Sequence, residues 1–283
     1  MKYLNTISII LTCHNRKYKT ISCLTALYNA EFPPKTMFSV YLVDDGSTDN
    51  TGEAVKESFP DVHIIQGNGN LFWNQGMRLA WQTAAKAGDY DFYLWLNDDT
   101  IIDENAISEL SQNYHEAFTT NNKPSIIVGT CRAESGKNDF SYGGRNENGP
   151  ILPNGQLQEC KFINGNLVLV SQTIFKQIGF LSNDYTHTFG DNDYGLRAIQ
   201  AGFKCYASKH YIATCPPNPG IPGWCNPKNS LKKRWQLLHS PQGLNIKEYN
   251  KYRKKFWGNK WIMFALKAYL KTIIPTLYGR FSK

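Results

Sequence analysis

The 283-residue chain has no C-x-x-C pair; its seven cysteines, Cys13, Cys23, Cys131, Cys160, Cys205, Cys215 and Cys225, are scattered singly. That scatter excludes a zinc ribbon and a disulfide-stapled scaffold, and it predicts reduced thiols in a cytoplasmic protein. A long apolar run is also missing. The N-terminal stretch MKYLNTISIILTCHN is too short and interrupted for a secretory signal, and no small-residue cleavage site follows it, so no export address is expected. There is no internal repeat. With 41% hydrophobic and 19% charged residues the composition is that of a globular protein, which excludes disorder and collagen-like architectures.

Acid is almost absent from the C-terminal fifth. From Lys228 to Lys283 there are fourteen Lys and Arg against the single acid Glu248, a balance of +13, whereas the rest of the chain carries −5. The overall charge of +8 therefore belongs to one appendage and is no signature of nucleic-acid binding; no nucleic-acid partner is expected. We read residues 1–227 as a catalytic domain and 228–283 as a basic, amphipathic helical extension.

Short apolar runs at Ile7–Leu11, Val40–Val43, Val62–Ile65 and Phe92–Leu96 alternate with stretches of helical spacing such as Trp73–Ala87. Near-continuous apolar strands joined by helices predict an α/β fold, a mostly parallel central sheet with helices on both faces and ligands at the carboxyl ends of the strands. Further on, a strand pair is expected around Phe140–Gly143 and Phe162–Val170. A helix near Gln172–Gln177, another opening at Asp191, and strands at Phe203–Tyr206 and Tyr211–Thr214 follow. Pro216–Trp224 reads as a loop.

A polar cluster follows each of the first four strands: Thr12–Arg16, Asp44–Asn50, Gly67–Asn70 and Asn97–Asp99. Asp44-Asp45-Gly46-Ser47 can be a turn with Asp49 or Asn50 capping the next helix. Alternatively, its first carboxylate can accept from a pyrimidine imide or a ribose hydroxyl while Gly46 allows close backbone approach. The adjacent carboxylates Asp98 and Asp99 repel each other unless a cation screens them, which suits Mg²⁺ or Mn²⁺ with phosphate oxygens, or else Asp99 or Asp103 merely caps a helix. Asp191 and Asp193 stand at a helix N-terminus, where a carboxylate can be an N-cap or a general base. Trp73 and Trp95 read as core aromatics or, for Trp73, as a stacking platform, and His187 as a polar contact. A dinucleotide-dependent oxidoreductase is disfavoured because TCHNRKYKT, with no G-x-G-x-x-G, follows the first strand.

The strings SIILTCHNR, VDDGSTDNT, LNDDT and DNDYGLR, in this order and covering about residues 6–215, resemble the family 2 glycosyltransferases of GT-A fold. The resemblance implies an inverting transferase that moves a sugar from a nucleotide-diphosphate donor, UDP- or dTDP-linked, to a saccharide or lipid-linked acceptor, with Mn²⁺ or Mg²⁺. On this reading Thr12, Asn15, Arg16, Asp44, Asp45, Gly46, Asn70, Trp73, Gly76 and Asp98 bind the donor and Asp99 holds the metal. Asp191 is the catalytic base, Asn164, Gly165, Asp193 and Trp224 approach the acceptor, and Arg197 closes the acidic helix motif. The segment GNLFWNQGMR (Gly69–Arg78) is similar to rhamnosyltransferase-like enzymes of bacterial surface polysaccharide assembly, which implies capsule, O-antigen or cell-wall synthesis. Two departures stand out: Gly190 replaces the first acid of the base motif, and Asn164-Gly165-Asn166 replaces small glycines. Neither His210 nor Cys215 is a clear late metal ligand. A carbohydrate- or nucleotide-binding protein without catalysis is the alternative.

From Trp257 onward the apolar residues recur at helical spacing but lysines interrupt them. This predicts a helix lying on the inner face of the cell membrane, or packed on the catalytic domain with a solvated basic side.

Overall fold

A computed structural model describes residues 6–218 and 220–276. Positions 277–283 of the expected tail helix and position 219 of the Pro/Gly loop lie outside the described residues.

The first half alternates strand and helix: β1 (Thr6–Cys13), α1 (Lys17–Tyr28), β2 (Met37–Asp44), α2 (Thr51–Ser58), β3 (His63–Gln66), α3 (Phe72–Ala87) and β4 (Phe92–Leu96). Next come β5 (Ile101–Ile102), α4 (Ala106–Asn121), β6 (Ser125–Arg132) and β7 (Phe140–Tyr142). The short β8 (Arg145–Asn146) and β9 (Gly149–Pro150) pair with each other, and β10 (Gln158–Cys160), β11 (Leu167–Ser171), α5 (Gln172–Ile178), α6 (Gly190–Gln200) and β12 (Lys204–Thr214) follow. The chain continues with α7 (Leu231–Leu238), α8 (Ile246–Trp257) and α9 (Trp261–Ile273).

The main sheet runs β10-β12-β6-β11-β4-β1-β2-β3, with β5 against β12 and β7 against β6. Strands β3, β2, β1, β4, β6 and β12 point the same way, and β11 enters antiparallel between β4 and β6. Side chains alternate across it as the period of two demands. On β4, Phe92, Leu94 and Leu96 join a core with α1, α2 and α4, while Tyr93 and Trp95 join one with α3, α5 and α6. Both faces are dry, which explains the uninterrupted apolar runs.

Three local expectations are revised. The segment 162–170 is strand only from Leu167, and β7 pairs with β6 instead of with it, because Asn164-Gly165-Asn166 turns sharply at the sheet edge. The two strands expected at 203–214 are one, β12, with register shifts beyond Ala207. Among its described residues the expected tail helix is divided into α7, α8 and α9, and α8 docks on the rest of the chain through its lone acid. Glu248 accepts from Thr186 N and Oγ1 at 3.0 and 2.6 Å.

Candidate active site

Register gathers the polar clusters. Cys13 pairs with Asp44 and Asp44 with Gln66, so β1, β2 and β3 end in line, and Leu167 pairs with Leu96. The antiparallel entry of β11 therefore places 164–166 beside 97–99, and Asn97 N donates to Asn166 O at 2.9 Å.

Asp45 organises the loop after β3. Its buried carboxylate accepts from Gly69 N at 2.8 Å and from Leu71 N and Phe72 N at 2.9 Å. Bonds to a charged acceptor contribute about 1.5–3 kcal/mol each, enough to hold Phe72 at φ 54° where α3 begins. Gly46, at φ 70°, is needed because a Cβ there would come within 3.0 Å of the Gly69 backbone. Asp44 is also buried and accepts from Ser47 N at 2.9 Å. Asn15 links the first two clusters: its backbone N–H donates to Ser47 Oγ at 3.0 Å, and its Oδ1 accepts from Thr48 N at 2.7 Å. Asn70 sits exposed on the 67–70 loop, steadied by Asn68. Asp49 accepts from Lys17 N and Thr51 N at 3.1 Å, joining the starts of α1 and α2.

Arg16 crosses to the fourth cluster. Its Nη1 lies 3.0 Å from Asp98 Oδ1 and 2.9 Å from Asp99 Oδ2, with Lys19 Nζ 3.8 Å from the same Asp99 oxygen. Burial pushes the Asp98 carboxyl up to about 7; Arg16 opposes this and the Asp99 charge adds to it. Two cations thus gather on a carboxylate pair. Among the described residues no group of three His, Cys, Asp or Glu could cage a metal. The oxygen pair nevertheless fits Mg²⁺ or Mn²⁺, which accept one or two carboxylates when phosphates complete the shell. Cys215 approaches Asp99 Oδ1 at 3.7 Å, but burial and then the Asp99 charge push its thiol up to about 12. His210 faces Glu109 instead, at 3.1 Å.

Trp73 joins this cluster to the last one. Its Nε1 donates to Asn97 Oδ1 at 2.6 Å, and its ring lies so close to Gly165 that a Cβ there would be 2.2 Å from it. Gly165 N in turn donates to Asp191 Oδ2 at 3.1 Å, while Asp191 Oδ1 accepts from Asn192 N at 2.7 Å. Burial raises the Asp191 pKa above the usual carboxylate range, against the pull of the Asn192 and Gly165 backbone bonds. Hydrogen bonds, packing and peptide bonds between neighbours thus connect Asp44 through Ser47, Asn15, Arg16, Asp98, Asn97, Trp73 and Gly165 to Asp191.

The remaining expected site residues make the following contacts. Thr12 and Gly76 meet each other, since a Cβ at Gly76 would stand 2.3 Å from Thr12 Oγ1; the glycine lets α3 press against β1. Asp193 is fully buried, bonded to Arg197 Nε at 2.7 Å, Lys255 Nζ at 2.6 Å and Tyr185 OH at 3.1 Å. Trp224 packs with Leu238, Ile246 and Ala268, and Lys271 Nζ stands 5.6 Å from its ring centroid. Asn164 accepts weakly from Gly143 N at 3.4 Å. Gly190 has a steric cause: a Cβ would sit 1.8 Å from Asn74 Oδ1, so the Asn74 side chain takes the space an acid would need. Lys19 and Asn97 join this cluster without an individual role in the sequence reading, although both neighbour motif residues in the chain.

The glycosyl transferase family 2 model matches residues 8–179, the stretch that carries most of this edge of acids, glycines and one indole. The chain belongs to that family. It is 27% identical over 133 residues to poly-beta-1,6-N-acetyl-D-glucosamine synthase of Staphylococcus epidermidis, covering 44% of this chain and 28% of that protein. The Staphylococcus aureus (strain COL) protein of the same name is 28% identical over 118 residues, 39% of this chain and 26% of that one. The chain thus spans under a third of the curated relatives it matches. Two solved structures share the fold. A Pyrobaculum calidifontis mannosyltransferase, PcManGT, in complex with GDP-Man and Mn²⁺ has TM-score 0.56 and 12% identity over 93% of this chain and 73% of that one. S. aureus TarS 1-349 in complex with UDP-GlcNAc has TM-score 0.55 and 14% identity over 95% and 78%.

Proposed function

We propose that this chain is an inverting glycosyltransferase that carries a sugar from a UDP- or dTDP-linked donor to a hydroxyl of a saccharide or lipid-linked acceptor in surface polysaccharide synthesis. The observation that carries this reading is the contact chain that sets the Asp98–Asp99 pair and Asp191 on either side of Trp73 and Gly165.

In this reading Asp44 faces the nucleoside, and Asp99, with Asp98, would hold Mn²⁺ or Mg²⁺. The bound ion would supply charge neutralisation of the leaving diphosphate. Arg16 and Lys19, already drawn to the same carboxylates, are placed to turn toward phosphate oxygens. Asp191 takes the proton of the acceptor hydroxyl as that oxygen attacks the anomeric carbon. The bond from that carbon to the diphosphate oxygen breaks, the nucleoside diphosphate leaves, and in-line attack inverts the centre. Burial raises the Asp191 pKa, which favours its taking that proton.

The test is thermal stabilisation by UDP-, dTDP- and GDP-sugars with and without Mn²⁺. A ligand held by the native state at 100 times its Kd stabilises by about 2.7 kcal/mol. We expect a UDP- or dTDP-sugar to raise the melting temperature, and more so with Mn²⁺. No shift with any nucleotide-sugar at millimolar concentration would remove the proposal.

A further inference from the structure

The C-terminal helices present an apolar face to solvent. Of fifteen exposed large hydrophobic side chains among the described residues, eight lie between Leu231 and Ile274, a segment of 44 residues. Six of them, Ile262, Met263, Leu266, Leu270, Ile273 and Ile274, lie on α9 or just past its end. With 3.6 residues per turn they fall within an arc of about 120°. Ala265, Ala268 and Thr272 are buried on the other side. On α7, Leu231 and Trp235 are exposed one turn apart, and Trp235 packs on Tyr269 of α9 with ring centroids 5.7 Å apart, which makes the two helices one surface.

The charge around this surface has one sign. Lys232, Lys233, Lys260 and Lys267 are exposed on these helices or at their ends, and the only acid after Lys228, Glu248, faces inward to Thr186. A second copy of the chain would set one +13 segment against another. An anionic surface satisfies both the apolar arc and the cations.

We propose that α7 and α9 seat peripherally on an anionic lipid surface, with α9 lying in the plane of the headgroups. Among the described residues no helix is long and apolar enough to cross a membrane, so the contact is lateral. The seat is coupled to the cleft. Helix α8 packs against α9 and binds the base-bearing region through Glu248 to Thr186 and Lys255 to Asp193. Lipid contact at α9 is therefore linked through α8 to α6, the helix that carries Asp191. The inference rests on this surface and not on the transfer reaction, so its failure leaves the donor reading untouched.

The experiment is co-sedimentation of the full chain with phosphatidylcholine vesicles, with and without phosphatidylglycerol. The wild type is expected to pellet with the anionic vesicles and release at high salt. Leu266→Glu with Leu270→Glu, at sites more than half exposed, is expected to lower partition by about tenfold or more. Lys232→Glu with Lys233→Glu is expected to weaken only the binding that needs anionic lipid. Circular-dichroism melting confirms that the variants fold. Wild type left in the supernatant, or partition unchanged in both variants, overturns the proposal. So does a dimer by sedimentation equilibrium that Leu266→Glu with Leu270→Glu converts to monomer, since the face then serves a second copy.

Discussion

Asp191→Asn is expected to lower kcat for sugar transfer by about 10²–10⁴-fold, the range a positioned general base contributes, while the donor still binds with nearly unchanged affinity. The asymmetry follows from what the side chain touches. Its two oxygens accept from Gly165 N and from Asn192, and none of its contacts reaches the Asp44 or Asp99 clusters. Asn retains the shape and one acceptor oxygen for Gly165, so the turn before β11 survives. The pH profile supplies a second readout. A base works only when deprotonated, and burial raises the Asp191 pKa, so activity falls as pH drops through a value above the ordinary carboxylate range. That acidic limb should vanish from the residual rate of the variant. Near-normal turnover by Asp191→Asn removes the base assignment.

Asp99→Asn is expected to remove the metal-dependent part of donor affinity, by at least about tenfold, measured by isothermal titration of a nucleotide-sugar in Mn²⁺ and in chelator. In chelator the sign should differ. Loss of one negative charge beside the diphosphate, with Arg16 and Lys19 released from that oxygen, leaves binding equal to or tighter than wild type. A merely structural defect would weaken both titrations alike, and that result would exclude Asp99 as metal ligand.

Much of the architecture could be read from residues 6–100, where the apolar runs of β1, β2 and β4 are buried on both sides and each run, that of the edge strand β3 included, ends in a polar cluster. Such runs reveal a parallel sheet without reference to distant chain. The antiparallel β11 was less legible. Its apolar string Leu167–Ser171 resembles any buried strand, and its direction is set by pairing with β4 and β6, which spacing does not encode. The division of labour within motifs was equally hidden. Asp45 and Asp193 are acids like their neighbours Asp44 and Asp191, yet one caps a loop and the other is sealed beneath Arg197 and Lys255. Only the third dimension separates the partners of one carboxylate from those of its neighbour. Thr12 and Gly76 mark a point of close packing for the same reason. The tail's charge was plain in its composition, whereas the separation of α7, α8 and α9 goes with long-range contacts such as Glu248 with Thr186.

A crystal structure of the chain with Mn²⁺ and an intact UDP- or dTDP-sugar tests the account most directly. It should show anomalous scattering at Asp99, the nucleoside against Asp44, and the anomeric carbon exposed toward Asp191 across Trp73. A nucleotide-sugar bound away from this sheet edge, or a sugar turned so that Asp191 cannot reach an incoming hydroxyl, would contradict it.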